Sequence, residues 1–226
     1  MQKSYERLKK QEGIPTVPKE RRIRPIHIWQ SAAAILFLLL ASSVYLSTVG
    51  TKAETDLLQQ YIPIAEMRSL TLPDGTKVQL NSKSTLLYPH EFTGDSRSVF
   101  LLGEANFKVK PDKKRPFIVK SNDLQITALG TEFNVSAYPE SQEIATTLIS
   151  GSIRVDYNNL TTSVILHPNE QFAYNRNNKK YDLSNPDMDD VTAWQRGELV
   201  LQKMTLTDII NVLERKYPYA FVYSIK

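Results

Sequence analysis

Apolar and polar positions fall into three regimes along this chain. From Pro25 to Thr51 no residue carries a formal charge, and the centre, Ala32 to Leu46 (AAAILFLLLASSVYL), is almost wholly apolar. Taken as helix from Ile26 to Val49, the run is roughly 36 Å long at about 1.5 Å per residue, enough to cross a hydrocarbon core of about 30 Å with some tilt. Later apolar runs are short and broken by Lys, Asp, Asn or Gly. The pattern predicts one transmembrane helix over 26–49, with Trp29 and Tyr45 as interfacial anchors. A cleaved signal peptide, with Ala32 to Ala41 as its apolar region, and a buried core helix are the alternatives. The long charged lead weighs against the first, and the near absence of a polar face against the second.

Beyond a polar connector the period changes to two. Leu70 and Leu72 alternate into Val78 and Leu80 across Pro73-Asp74-Gly75, a tight-turn signature that predicts a hairpin. Val99, Leu101, Gly103, Ala105, Phe107 and Val109 keep one parity, with small residues in the middle where another backbone approaches closely. Phe117 and Val119 come next, after a Pro-bounded loop. Leu124, Ile126 and Ala128 then shift parity to Phe133, Val135 and Ala137 across Gly130, and Ile144, Thr146 and Leu148 shift to Ile153, Val155 and Tyr157 across Gly151. A parity change without a loop would turn half of each strand to solvent, so Gly130 and Gly151 are expected to be strand corners. Two such units stack as a β-roll or short β-solenoid; corners of an ordinary sandwich are the alternative.

The third regime is helical again. Leu206, Ile209, Ile210, Leu213 and Tyr217 recur at helical spacing, and Thr205 with Asp208 resembles a capping box. Strand-like segments flank it at Glu198 to Gln202 and Tyr219 to Tyr223, so a partial β-α-β unit is expected. Two strands and one helix bury too little to stand alone. The expected organisation is a basic tail (1–25), a membrane helix (26–49), a connector (50–65), a β domain (66–175), a linker (176–193) and the partial β-α-β unit (194–226). Leu199, Leu201, Phe221 and Tyr223 are candidates for partner contact, with ordinary core the competing role.

Charge sharpens the topology. The net charge is +4, but residues 1–24 hold eight basic against three acidic side chains, a net of +5, so the remainder is close to neutral. A basic excess confined to a tail before an apolar run predicts a membrane flank instead of a nucleic-acid surface. By the positive-inside rule the tail stays in the cytoplasm and the rest is exported.

Candidate chemistry is sparse. Without cysteine there are no disulfides and no thiolates, and the three histidines lack zinc-site spacing. No phosphate loop or nucleophile elbow is present. Asp187, Asp189 and Asp190 lack the ligand spacing of a calcium loop. Spacing leaves open that Glu104, Asp123, Glu132 and Glu143 converge as paired carboxylates for glycoside hydrolysis, yet each alternates with apolar neighbours as a solvent-facing strand residue does. No catalytic residue, cofactor site or metal site is assigned, and the chain is not read as an enzyme.

Five ordered motifs then carry a resemblance: Leu72 to Asn81 (LPDGTKVQLN), Val99 to Val109 (VFLLGEANFKV), Pro116 to Val119 (PFIV), Ala128 to Val135 (ALGTEFNV) and Thr147 to Val155 (TLISGSIRV). Together they resemble the FecR family of transmembrane sigma-factor regulators over about 66–175. Trp194-Gln-Arg-Gly-Glu-Leu and the residues after it are similar to the start of a secretin/TonB short N-terminal domain. The resemblance implies an anti-sigma factor of the bacterial inner membrane, crossing once, with its C-terminal domain in the periplasm. It also implies two partners: an extracytoplasmic-function (ECF) sigma factor at the cytoplasmic tail, and the signalling domain of a TonB-dependent outer-membrane transducer. Two features depart from the family. The cytoplasmic tail is short, and Asn106 and Lys108 stand where an aromatic and an acid are usual, a change expected to alter surface contacts. A bitopic envelope transport adaptor and a membrane-tethered glycan-acting enzyme are the rival functions.

Overall fold

The computed structural model describes residues 25–50, 56–202 and 204–221. The chain divides into two units, Met1–Glu54 and Thr55–Lys226. In the first, helix α1 (Pro25–Gly50) occupies the charge-free run, where Leu and Ala favour helix and nothing inside the run breaks it. Its described side chains, at 29–30 and 33–45, are all exposed. Among the described residues no helix is long and apolar enough to cross a membrane. The expected tail, residues 1–24, lies outside the described residues.

The second unit is mainly β. Its strands are β1 (Leu57–Tyr61), β2 (Arg68–Thr71), β3 (Lys77–Leu80), β4 (Thr85–Pro89), β5 (Arg97–Lys108), β6 (Phe117–Lys120), β7 (Gln125–Ala128), β8 (Glu132–Ala137), β9 (Glu143–Ser150), β10 (Ile153–Tyr157), β11 (Thr162–Leu166), β12 (Gln171–Asn175) and β13 (Tyr181–Ser184). They form one thirteen-stranded sheet that curls into a half-barrel. The long strand β5 belongs to both halves. Its first part pairs with β4 and, in parallel, with β6. From Gly103 onward it pairs with β8, and over Ala105 to Lys108 with β3. One half runs β1, β4, β5, β6, β7, β10, β11 and the other β2, β3, β5, β8, β9, β12, β13. Neighbours are antiparallel apart from β5 and β6. A solenoid would stack parallel strands, so the expected roll is corrected to a curled antiparallel sheet.

The hairpin expected across Pro73-Asp74-Gly75 is β2–β3, in the register Leu70 opposite Val78. The chain passes between halves from β7 to β8 through Gly130 and from β9 to β10 through Gly151. Both have positive φ, +148° and +93°, and a Cβ at Gly130 would stand 2.8 Å from the Pro111 Cα. One core fills the curl. All sixteen side chains that alternation marks as its strongest candidates, from Leu72 and Val78 through Phe107 and Phe133 to Val155, belong to the buried cluster, and Ile62, Leu86, Leu166, Phe172 and Tyr174 add to it.

A buried ion pair closes the end of this core. Asp74 accepts from the Thr76 N–H (2.9 Å) and hydroxyl (2.7 Å), which holds the hairpin turn. Its Oδ2 also receives an N–H of Arg97 at 2.7 Å, where both side chains are almost inaccessible. Arg97 donates further to the carbonyls of Arg115 (2.9 Å) and Lys110 (2.8 Å), and its guanidinium lies 5.6 Å from the Phe117 ring centre. One buried cation thus ties the β2–β3 turn to the loop before β6.

Two expectations are corrected at the C-terminal end. Glu198 to Gln202 and the described part of Tyr219 to Tyr223 are not strands, because neither has a ladder partner and an unpaired strand is not stable. Within the expected linker, residues 181–184 form β13 on the edge of the sheet, paired with β12. Helix α2 (Met188–Thr192), a 3-10 turn (Ala193–Arg196) and helix α3 (Leu206–Lys216) come after it. They belong to the same compact unit as the sheet, so the expected β-α-β unit reduces to one helix and its flanks seated on the β body.

Candidate partner-binding surface

The terminal segment is built by capping and held by polar contacts. Asp187 caps α2 by accepting from the Asp189 N–H at 2.9 Å. The chain reverses at Gly197, in the left-handed region. The capping box of α3 is formed: Thr205 Oγ1 accepts from the Asp208 N–H at 3.2 Å, and Asp208 accepts from the Thr205 N–H at 3.3 Å. On α3 Ile210 is buried and Ile209, Val212 and Leu213 are half-buried, so packing and polar contacts both attach the helix. Arg215 supplies much of the polar part. Its guanidinium lies 3.9 Å from the Tyr138 ring centre, it meets Glu140 at 2.9 Å, and its carbonyl accepts from the Ala65 N–H at 3.0 Å. Lys216 Nζ donates to the Gly197 carbonyl at 2.9 Å, closing the segment on itself.

Beneath the segment lies a polar seat. Glu104 Oε2 accepts from Asn81 Nδ2 (2.8 Å) and its Oε1 from Asn134 Nδ2 (3.0 Å). Neither amide is free to turn over. Asn81 Oδ1 accepts from the Ser82 N–H at 2.8 Å, and Asn134 Oδ1 accepts from Trp194 Nε1 at 3.3 Å. Both amides therefore present N–H to the carboxyl, which must supply two acceptors. Burial pushes the Glu104 carboxyl above the usual carboxylate range, opposed by the two amides and by the Arg215 charge. Tyr138 donates to the Ser82 carbonyl at 2.9 Å, and burial raises its phenol. Glu104 is thus half-buried beneath the terminal segment, a correction to its expected place on a solvent face. The seat includes a pocket of about 220 Å³ lined by Glu104, Trp194, Leu199, Met204 and Arg215 among others.

The sequence-derived contact residues are divided between the surface of this segment and its seat. Leu199, Leu201 and Phe221 are each about one-third or more exposed, and Tyr223 lies outside the described residues. Leu199 lines the seat pocket; Leu201 and Phe221 do not. Met204, Leu206, Tyr217 and Tyr219 extend the same exposed apolar character along the segment. Trp194 and Arg215, which anchor the segment, were not among the sequence candidates. Trp194 stands in one of the resembling motifs, whereas Arg215 has the pattern of ordinary helix-end charge.

Three of the four carboxylates weighed for glycoside hydrolysis are engaged by other side chains. Asp123 is bound to Arg176 and Lys179, Glu132 to Lys108, and Glu104 to two amides. Glu143 is raised by burial and by the charges of Asp182 and Asp208. Among the described residues no group of acidic or His side chains is placed to hold a metal.

Comparison with known proteins agrees with this architecture. The family model described as FecR protein matches residues 62–154. Two crystal structures of a candidate anti-sigma factor from Parabacteroides distasonis ATCC 8503 are similar to the chain. One has 37% identity and a TM-score of 0.69 over 72% of this chain and 76% of that one; the other has 37% identity and 0.68 over 71% and 75%. No curated protein matches. The FecR match and the 37% identity to an anti-sigma factor place the chain among signal-relay regulators. The chain belongs to the FecR family of anti-sigma factors.

Proposed function

We propose that the chain is a single-pass regulator of the bacterial inner membrane that couples a TonB-dependent outer-membrane transducer to an ECF sigma factor. The match of the β body to an anti-sigma factor family carries the regulatory part of this reading. The charge-free helix Pro25–Gly50, preceded by a net charge of +5, supports the topology: tail in the cytoplasm, β body in the periplasm. In this arrangement the tail meets the sigma factor and the terminal segment meets the transducer's signalling domain.

The segment suits that role because Trp194 and Arg215 hold it by polar contacts that a partner can compete with, and it leaves Leu199, Leu201 and Phe221 each partly exposed. Residues 198–202 (ELVLQ) are strand-like in composition yet have no ladder partner, so an incoming strand that adds to them would supply one. Signal passes when docking shifts the segment between seated and partner-bound states. Co-expression tests the reading: the full chain should co-purify with the transducer's signalling domain, and Leu199→Asp with Leu201→Asp should abolish that association while leaving sigma-factor binding intact. Retention of the signalling domain by the double variant would exclude this docking surface.

A further inference from the structure

On the outer face of the β2–β3–β5–β8 half, cross-strand neighbours form two polar rows. One runs Ser69, Gln79, Asn106, Asn134, Thr147; the next runs Thr71, Lys77, Lys108, Glu132. The first row is satisfied on one side only. Asn134 is engaged by Glu104 and Trp194, and Thr147 accepts from Gln171 at 2.7 Å. On the other side Asn106 is buried, yet its Nδ2 has no partner, and the same holds for Nε2 of Gln195 on the 3-10 turn. Both residues line one pocket of about 510 Å³, together with Gln79, Lys77 and Lys108. An adjoining pocket of about 390 Å³ shares the two lysines and is lined by Thr131, whose buried Oγ1 is also unpartnered.

The second row adds a charge conflict. Lys77 and Lys108 stand directly opposite each other on β3 and β5, a placement that destabilises a sheet unless something negative lies between the ammonium groups. Glu132 meets Lys108 at 3.2 Å and compensates one of them; Lys110 borders the adjoining pocket. The site therefore keeps a positive excess beside amide donors that have no acceptor.

We propose that this pocket binds a ligand bearing an oxyanion, a carboxylate or a phosphate, held by Lys77 and Lys108 with Asn106 and Gln195 as donors. Such a ligand meets three needs at once: it separates the like charges, gives the unpartnered amides an acceptor, and forms charge-assisted hydrogen bonds. The site shares Gln195 with the terminal segment but contains none of the docking residues Leu199, Leu201 and Phe221.

The test uses the full chain in non-ionic detergent with Trp29→Phe, which leaves Trp194, next to Gln195, as the sole tryptophan. Inorganic phosphate and malonate are titrated against chloride at matched ionic strength, with Trp194 emission and the unfolding midpoint as readouts. Saturable binding of either probe is expected, and the preferred one names the class. Lys77→Gln and Lys108→Gln should each weaken it about 10-fold, the ratio of roughly one charge-assisted contact, whereas Lys180→Gln on the β12–β13 turn should not. In chloride alone Lys77→Gln should raise the midpoint, because it removes the opposed pair. Absence of saturation by both probes, equal weakening by Lys180→Gln, or an unchanged or lower midpoint for Lys77→Gln would overturn the proposal.

Discussion

Replacing Glu104 with Gln should loosen the seat of the terminal segment. Two amide N–H groups converge on this carboxyl at 2.8 and 3.0 Å, and each amide is fixed by a second bond through its oxygen. Gln offers one acceptor and turns an NH₂ toward the other donor. An unmet buried donor costs about 1–3 kcal/mol. For a unit the size of Thr55–Lys226, each kcal/mol corresponds to a fall in Tm of roughly 2–4 °C. The variant should therefore melt about 2–12 °C lower.

The pH dependence has a definite sign. The Glu104 carboxyl is raised above its ordinary value of 4.5 by burial, so the folded state holds its proton more tightly than the unfolded chain does. The resulting stability is present in full below the ordinary value and is lost as pH rises through the raised one. Gln has no such loss, so the advantage of the parent protein over Glu104→Gln should narrow across that window. Glu143 shifts in the same direction but is present in both proteins and drops out of the difference. Urea unfolding at several pH values, followed by Trp194 emission in the Trp29→Phe background, measures both effects. A Gln variant as stable as its parent at pH 7, with Trp194 emission unchanged, would refute this account of the seat.

Three further outcomes are expected. Asp74→Asn keeps an acceptor for the Thr76 N–H but leaves Arg97 charged and buried, which should cost about 3–5 kcal/mol in chemical denaturation; adding Arg97→Met should recover most of it, and no recovery would contradict the pairing. Gly130→Ala would place a Cβ 2.8 Å from the Pro111 Cα at a positive φ, so a loss of about 1–3 kcal/mol is expected, against near neutrality if the corner can relax. Arg215→Ala removes the Tyr138 stack and the Glu140 pair together. It should increase proteolytic cleavage between residues 197 and 205 while leaving the far-UV spectrum of the sheet unchanged.

The β core was legible because its strands alternate cleanly and their turn residues are chemically distinctive: Asp74 and Gly75 at the hairpin, Gly130 and Gly151 between halves. Strand β1 was not, since Leu57-Leu58-Gln59-Gln60-Tyr61 shows no alternation and is specified by its pairing with β4. Residues 198–202 failed in the opposite sense: a strand pattern without a partner does not make a strand. The seat was hidden for a nonlocal reason. Glu104 alternates like any solvent-facing strand residue, and only a segment ninety residues further along the chain covers it. Arg97 was hidden likewise, because nothing beside it in sequence indicates that a guanidinium will be buried on Asp74.

The central claim is that the chain relays a signal to a sigma factor across a membrane. Its most direct test is binding of the cognate ECF sigma factor to the full chain, to the chain lacking residues 1–24, and to residues 55–226 alone. The account predicts tight binding to the full chain and none to either truncated form. Equal binding by 55–226 would contradict it.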